Sequence, residues 1–491
     1  MTGGVVAEPS QPRRELSDLG RVHFVGIGGA GMSGIARIML ARGVPVSGCD
    51  ARESLALAAL RARGADIQVG HEARHAESID TLVVSSAIRP DNPEVLEARK
   101  LGRTILPRAA ALAAVMADAR RVAVAGSAGK TTTTSMLTIA LQACGRDPSY
   151  AIGGDLNEPG SNAHLGTGEF FVAEADESDR SFLLLSPELA VVTNVEPDHL
   201  DTYGDRQAVL QAFVDFVDRI EPDGALVVGV DDPDTAALIQ AATGRGLRVV
   251  TFGMSAAADV RIDGLTLADA GSRFQLIAKG RRLGHVELLM PGEYNAVNAA
   301  GALAAGLELG LPFADMARGL EAFTGARRRF DFRGVAGGVR VYDDYAHNPM
   351  KLNALLTAAR HVAGGGRVVV VFQPHLYSRT QHFAAEFGAA LGLADLVVVM
   401  EVYAAREDPV PGVTGAIIAD AVPLARHAVI FEPSWSAVPA RVASLVRAGD
   451  LVLTVGAGDV TMLGPEILSA IDELRNKVTT EGSASPPSGA R

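Results

Sequence analysis

The chain has 491 residues, enough for roughly three domains at about 150 residues each. With 48% hydrophobic and 21% charged residues it reads as folded globular protein, which excludes a disordered chain. A formal net charge of −12 argues against a general nucleic-acid or anionic-membrane binder, although local basic residues can still receive an anionic small substrate.

Residues 1–19 are polar, with Pro9, Pro12, Arg13 and Arg14. They lack the apolar core of a signal peptide and read as a disordered tail. A first unit, 20–118, follows. His23–Val25 reads as a strand, Gly26–Gly31 as a glycine loop and Met32–Arg42 as a helix. Val44–Cys49 is the next strand, ending at Asp50, and Thr81–Val84 is another, followed by Ser85 and Ser86.

A second unit, 119–326, opens with the strand Arg121–Ala125. The loop Gly126-Ser127-Ala128-Gly129-Lys130-Thr131 follows, then a helix from Thr132 toward Ala143 with Gly145 as its stop. Phe170–Ala173, Leu189–Thr193, Ala225–Val230 and Arg248–Phe252 are further strands. Val260–Arg282 is β-rich and suits an accessory antiparallel part, and Asn295–Leu309 reads as an alanine-rich helix.

A third unit, 327–475, begins at the basic turn Arg327-Arg328-Arg329 and carries the buried-type strands Val339–Tyr342, Val368–Phe372, Leu396–Met400 and Leu451–Val455. Residues 476–491, rich in Ser, Gly, Thr and Pro, read as a second disordered tail. No stretch reads as a membrane span. The two cysteines, Cys49 and Cys144, lie in different predicted units without a CxxC spacing, so neither a disulfide framework nor a zinc site is expected, and a reducing cytoplasm fits.

The predicted fold class is α/β in three domains, each built largely on a parallel or mixed sheet flanked by helices. The first is dinucleotide-binding-like, the second P-loop ATPase-like, the third doubly wound. In such sheets ligands bind outside the carboxyl ends of the strands, so the residues that follow them are the place to seek chemistry.

Gly26, Gly28 and Gly31 satisfy G-x-G-x-x-G after a strand and before a helix, with Asp50 at the end of the next strand. The pattern lets a diphosphate approach backbone amides at a helix N-terminus. It does not distinguish NAD from another diphosphate nucleotide such as a UDP-sugar. The second loop is G-x-x-G-K-T, with Val124 where a full P-loop has glycine. Its amides suit phosphate, Lys130 suits the β- and γ-phosphates, and the Thr131 hydroxyl suits Mg2+.

Glu174-Ala175-Asp176-Glu177 follows a strand, where a carboxylate is either a second Mg2+ anchor or part of a solvated acidic turn. His199 follows another, and alone it reads as a local hydrogen-bonding histidine, since hard cations prefer oxygen. In the third unit, Asp343-Asp344-Tyr345-Ala346-His347 and Gln373 to Arg379 follow strands. Arg379 suits a carboxylate, or both clusters are ordinary polar loops.

Taken together, His23–Ala36, Ala173–Asp179, Asp343–His347 and Val455-Gly456-Ala457-Gly458-Asp459 closely resemble the Mur ligase family, over about Val22 to Leu474. The resemblance implies ATP-dependent ligation of L-alanine to the lactyl carboxylate of UDP-N-acetylmuramate through an acyl phosphate, in cytoplasmic peptidoglycan synthesis. By position, it implies that Gly28, Gly31, Met32, Ser33, Asp50, Ser85, Ser86 and Arg108 line the UDP-sugar site. Gly126, Ser127, Ala128, Gly129, Lys130, Thr131 and Thr132 would cradle ATP. Thr131, Glu174 and His199 would hold Mg2+, and Asn295 would contact adenine, with Asn298 one turn further along that helix in the ATP site.

The same resemblance has Arg327 and Asp344 closing the nucleotide site. Tyr345, His347 and Arg379 would shape the alanine site, with Arg379 on its carboxylate and His347 as the candidate base. The family usually has Thr-His at positions 127–128 and histidines at 294 and 348, where this chain has Ser127-Ala128, Tyr294 and Asn348, and Arg180 replaces a small residue. These departures leave open a paralogue using another amino acid or a peptide, or a catalytically weak UDP-sugar sensor.

Overall fold

The computed structural model describes residues 14–154, 162–268, 271–405 and 407–482. Three sheets are present, and the chain divides into two compact units. One holds the chain up to Thr266 with Arg273–Leu289 and Tyr294–Ala326. The other holds Leu267–Ser272, Met290–Glu293 and the chain from Arg327.

The first sheet comprises β1 (Val22–Val25), β2 (Val46–Asp50), β3 (Asp66–Val69), β4 (Thr81–Val84) and β5 (Thr104–Pro107) in the order β3-β2-β1-β4-β5. All four pairings are parallel. Strand order reverses at β1, which places a crevice at its carboxyl end, where the first glycine loop begins. The helix Ala30–Ala41 starts two residues earlier than the pattern predicts, within the glycine loop.

The second sheet comprises β6 (Arg120–Ala125), β7 (Ser149–Ala151), β8 (Ala163–His164), β9 (Phe170–Glu174), β10 (Leu189–Val192), β11 (Ala225–Gly229), β12 (Arg248–Gly253), β13 (Val260–Ala268), β14 (Gly271–Ala278) and β15 (Arg281–Leu288). Its order is β15-β14-β13-β12-β11-β10-β6-β9-β7-β8. β6 lies between β9 and β10, parallel to both, so the second loop also leaves a switch point. β8 is antiparallel to β7 at the edge. The first two sheets share one unit: the Asn162 amide donates to the Ala30 carbonyl at 2.6 Å.

The third sheet, β16 (Asp331–Ala336), β17 (Val339–Asp344), β18 (Val368–Phe372), β19 (Leu396–Val399), β20 (Val429–Phe431) and β21 (Leu451–Val455), runs β16-β17-β21-β18-β19-β20. It is parallel except for the edge pair β16–β17. Both faces are covered: Val368, Val370 and Phe372 enter one core, Val369 and Val371 the other. That is why these strands read as continuous apolar runs.

The ends differ from the predicted tails. Leu16–Leu19 forms a 3-10 helix with Leu19 fully buried, so the fold begins before residue 20. The last helix runs Leu463–Gly482, through Asn476. Composition misled here, because Lys477 to Gly482 continues a helix seeded by the buried Ile467 and Ile471. Residues 1–13 and 483–491 lie outside the described residues.

Candidate active site

At the first loop, Gly26 has φ +77°, and its amide and that of Ile27 both donate to the Cys49 carbonyl. The Gly28 amide donates to Asp50 Oδ2 at 2.9 Å, so the acid at the end of β2 holds the loop itself. A Cβ on Gly28 would meet Leu57 at 2.7 Å, which explains glycine there. Met32 and Ser33 are buried in the first turn of the helix, and the Ser33 hydroxyl donates to the Ala30 carbonyl. Ser85 is half-buried and Ser86 exposed beyond β4.

Arg108 opens the helix Arg108–Met116 beneath Gly31. Its guanidinium donates to Asp176 Oδ2 at 3.1 Å, linking the first glycine loop to the acids after β9. Burial raises the Asp176 carboxyl, but Arg108 and Lys130 outweigh it and hold the group at about 2.

The second loop is bound to the segment after β10. Asn194 Oδ1 accepts the Ala128 amide at 2.9 Å, and Thr193 Oγ1 and Asn194 Nδ2 donate to the Ala128 carbonyl. Ser127 Oγ donates to the Glu196 carbonyl at 2.9 Å and accepts the Glu196 amide at 2.8 Å. Gly129 is left-handed at φ +83°, and a Cβ there would collide with Asn298 Oδ1.

Helix Lys130–Ala143 therefore begins at the loop, two residues before the predicted start. Lys130 Nζ donates to the Gly126 carbonyl at 2.7 Å and lies 2.6 Å from Glu177 Oε2. Burial favours the neutral amine, yet Glu177, Asp176 and Glu174 outweigh it and raise the lysine above its ordinary value. Burial also raises the Glu177 carboxyl, with Lys130 opposing.

Thr131 Oγ1 donates to both Glu174 oxygens, at 3.0 and 3.2 Å, and Gly153 N donates to Glu174 Oε2 at 2.8 Å. His199 sits in the left-handed region at φ +54°, with Nε2 3.6 Å from Glu177 Oε1 and 3.8 Å from Asp198 Oδ2. Thr132 is buried in the first turn. Thr133 Oγ1 reaches Asn298 Oδ1 at 3.3 Å, and Asn295 is buried one turn earlier on its helix, Glu293–Glu308.

Lys130, Thr131, Glu174 and His199 thus converge at the carboxyl ends of β6, β9 and β10. Glu177 and Asp176 are the members the sequence did not single out. Their signal was the dense acidic run after β9. The loop fits a nucleotide phosphate, with paired positive-φ glycines, a helix N-terminus and a charged lysine. Thr131 and Glu174 offer the hard oxygen donors that Mg2+ takes.

In the other unit, Asp344 ends β17. It accepts the Phe330 and Ala346 amides at 2.8 and 2.7 Å. Burial nevertheless pushes it up to about 6, against Arg329 and those amides. The Arg328 guanidinium donates to the Gly456 and Gly458 carbonyls and lies 4.9 Å over the Tyr345 ring, tying the basic turn to the Val455–Asp459 segment. Arg327, the turn's first residue, is partly buried.

His347 Nδ1 donates to the Tyr345 carbonyl at 2.9 Å, and the two rings meet edge to face. His347 also lies edge-on to His375, from the segment after β18. Arg379 is half-buried in the short helix Tyr377–His382 that follows. Asn348 caps the helix Pro349–Ala363, accepting the Lys351 amide at 2.8 Å, a structural reason for asparagine at that position.

Three family descriptions match in order: "Mur ligase family, catalytic domain" over 21–120, "Mur ligase middle domain" over 124–306 and "Mur ligase, glutamate ligase domain" over 328–458. The UDP-N-acetylmuramate–L-alanine ligase of Acidothermus cellulolyticus is 59% identical over 93% of this chain and 96% of its own. The Saccharopolyspora erythraea protein of that name is 56% identical over 98% and 99%. Among solved structures, the Thermotoga maritima UDP-N-acetylmuramate-alanine ligase superposes with a TM-score of 0.77 at 29% identity, covering 93% of this chain and 99% of that one. A murein peptide ligase from Psychrobacter arcticus, at 23% identity and a TM-score of 0.68, shares the fold over 92% of this chain and 98% of its own.

Proposed function

The chain belongs to the Mur ligase family and is an ATP-dependent ligase joining L-alanine to UDP-N-acetylmuramate for peptidoglycan synthesis, and from that premise we propose how its residues divide the work. The observation that carries the assignment is the buried Lys130 among three carboxylates, beside a threonine hydroxyl seated on Glu174.

The loop amides and Lys130 bind the nucleotide phosphates, Asn295 faces the base, and Asn298 lies against the loop at Gly129. Thr131 and Glu174 would hold Mg2+, with His199 at a second position. Bound Mg2+ would neutralise charge on the phosphate oxygens during transfer. Lys130 stabilises the charge that develops as a lactyl carboxylate oxygen takes the γ-phosphoryl group and ADP leaves. Gly28, Gly31, Met32, Ser33, Asp50, Ser85, Ser86 and Arg108 receive the UDP-sugar.

The acyl phosphate that results hydrolyses readily, so water must be excluded while the alanine amine replaces phosphate. Arg379 binds the alanine carboxylate, and Tyr345 shapes the pocket. The Nδ1 bond to the Tyr345 carbonyl makes Nε2 the acceptor nitrogen of a neutral His347, which suits it to take the amine proton. Among the described residues no helix is long and apolar enough to cross a membrane. The demand for ATP and a nucleotide sugar supports a cytoplasmic reaction.

The test is phosphate release from Mg-ATP with UDP-N-acetylmuramate and, in parallel, L-alanine, glycine, L-serine or a peptide. Fast release requiring UDP-N-acetylmuramate and L-alanine, with the amide product seen by mass, is the expected result. Preference for another acceptor would overturn the alanine assignment. No release despite UDP-sugar binding would overturn the assigned catalytic roles.

A further inference from the structure

We propose that His23, Cys49, His75 and Glu94 form a structural zinc site inside the N-terminal sheet domain, behind the first glycine loop, whose Gly26 amide bonds the Cys49 carbonyl. One ligand atom from each lies within 4.8 Å of all the others. Cys49 Sγ is 2.9 Å from Glu94 Oε2, His75 Nδ1 is 2.8 Å from Glu94 Oε1, and His23 Nε2 is 3.6 Å from Glu94 Oε2. Bonds of about 2.0–2.3 Å to a tetrahedral zinc ion separate its ligands by roughly 3–4 Å, the scale of this cluster.

The alternative is a hydrogen-bonded network around Glu94, which also accepts the Glu72 amide at 3.2 Å. That network leaves a defect. His23 is 2% exposed, and its Nε2 has no hydrogen-bond partner while facing the cluster. With Nδ1 bonded to Ser47 Oγ at 2.9 Å, Nε2 is the ring nitrogen that faces the other donors. Outer-shell bonds of this kind orient metal-binding histidines.

Charge supports the same ion. One thiolate and one carboxylate cancel a divalent cation, and two neutral imidazoles complete four donors, so nothing unbalanced is buried. The mixture of sulfur, nitrogen and oxygen suits zinc rather than Mg2+. His71 Nδ1, 3.1 Å from Cys49 Sγ and a quarter exposed, stands at the solvent side. The four donors come from β1, β2, the 3-10 turn Ala73–Ala76 and the helix Pro93–Lys100. An ion there would clamp four segments beside the small apolar cluster of Val25, Cys49, Leu82 and Val84. The absence of CxxC hid this site, because three of its donors are not cysteine.

The experiment uses full-length protein purified without a histidine tag, stripped with chelator and reloaded with zinc or cobalt. Expected are one zinc per chain by mass spectrometry and, with cobalt, a thiolate charge-transfer band with tetrahedral visible bands. Cys49→Ser and His23→Gln should abolish the band, Cys144→Ser should keep it, and chelator should lower the melting temperature of wild type but not of Cys49→Ser. Absence of the thiolate–cobalt band in stripped wild type, whose fold needs no variant, would establish a hydrogen-bonded network only and overturn the proposal.

Discussion

Lys130 Nζ rests 2.6 Å from Glu177 Oε2, with only 12% and 1% of the two side chains exposed. The lysine proposed to serve phosphate is therefore already paired with a buried acid. Lys130→Met should lower turnover by about 10²–10³-fold, as removal of a preorganised charge does. It should also destabilise the fold, by less than the about 3–5 kcal/mol of a broken buried pair, because Glu177 can take up a proton. Lys130→Met/Glu177→Gln should recover stability but not activity. Urea unfolding alongside phosphate release reads both, and equal stability of the single and double variants would contradict the coupling.

Arg108 pairs with Asp176 beside the proposed UDP-sugar site. Arg108→Ala should weaken UDP-N-acetylmuramate binding by roughly 10–100-fold, the scale of a lost charge-assisted hydrogen bond of about 1.5–3 kcal/mol. The affinity for ATP should change far less. Calorimetric titration with each ligand separates the two, and equal losses would point to a general disturbance of the loop.

Gly129→Ala tests the cradle's shape. The new methyl would sit in left-handed backbone and against Asn298. A destabilisation of about 1–2 kcal/mol from the backbone alone is expected, with a larger fractional loss in ATP affinity. Thermal unfolding and nucleotide titration check this; unaltered ATP affinity would show that the loop re-forms without cost.

Asp344 makes stability fall with rising pH. Its ordinary value is 3.8 and burial lifts it to about 6 in the fold. Below the lower value both states hold the proton and the contribution is complete. As pH rises toward the folded value the unfolded chain releases its proton first, and up to about 3 kcal/mol is lost. Asp344→Asn should flatten the stability profile between about pH 4 and 6. An unchanged slope in denaturant titrations across that range would show that another group sets it.

Much of this was legible in the chain. Thr81–Val84, Val368–Phe372 and Leu451–Val455 are strands at the predicted boundaries, because a strand covered on both faces is an uninterrupted apolar run. The edge strand Asp331–Ala336 was not, since Phe332 and Val335 are exposed and its register shifts between Phe332 and Gly334. Lys130 and Glu174 were visible from spacing. The role of Ser127 was not: its hydroxyl bonds backbone atoms of Glu196, 69 residues away, and no local pattern encodes such a partner.

Residues Thr131–Thr138 are all buried, and the hydroxyls of Thr134 and Thr138 donate to carbonyls one turn back in their own helix. A rod enclosed on every side cannot tilt without opening voids in a close-packed interior. The loop at its tip, the proposed phosphate cradle, is thus anchored to a helix fixed by its surroundings. An inhibitor shaped to that cradle would meet a preorganised surface, and would lose little affinity to waiting for a rare conformer.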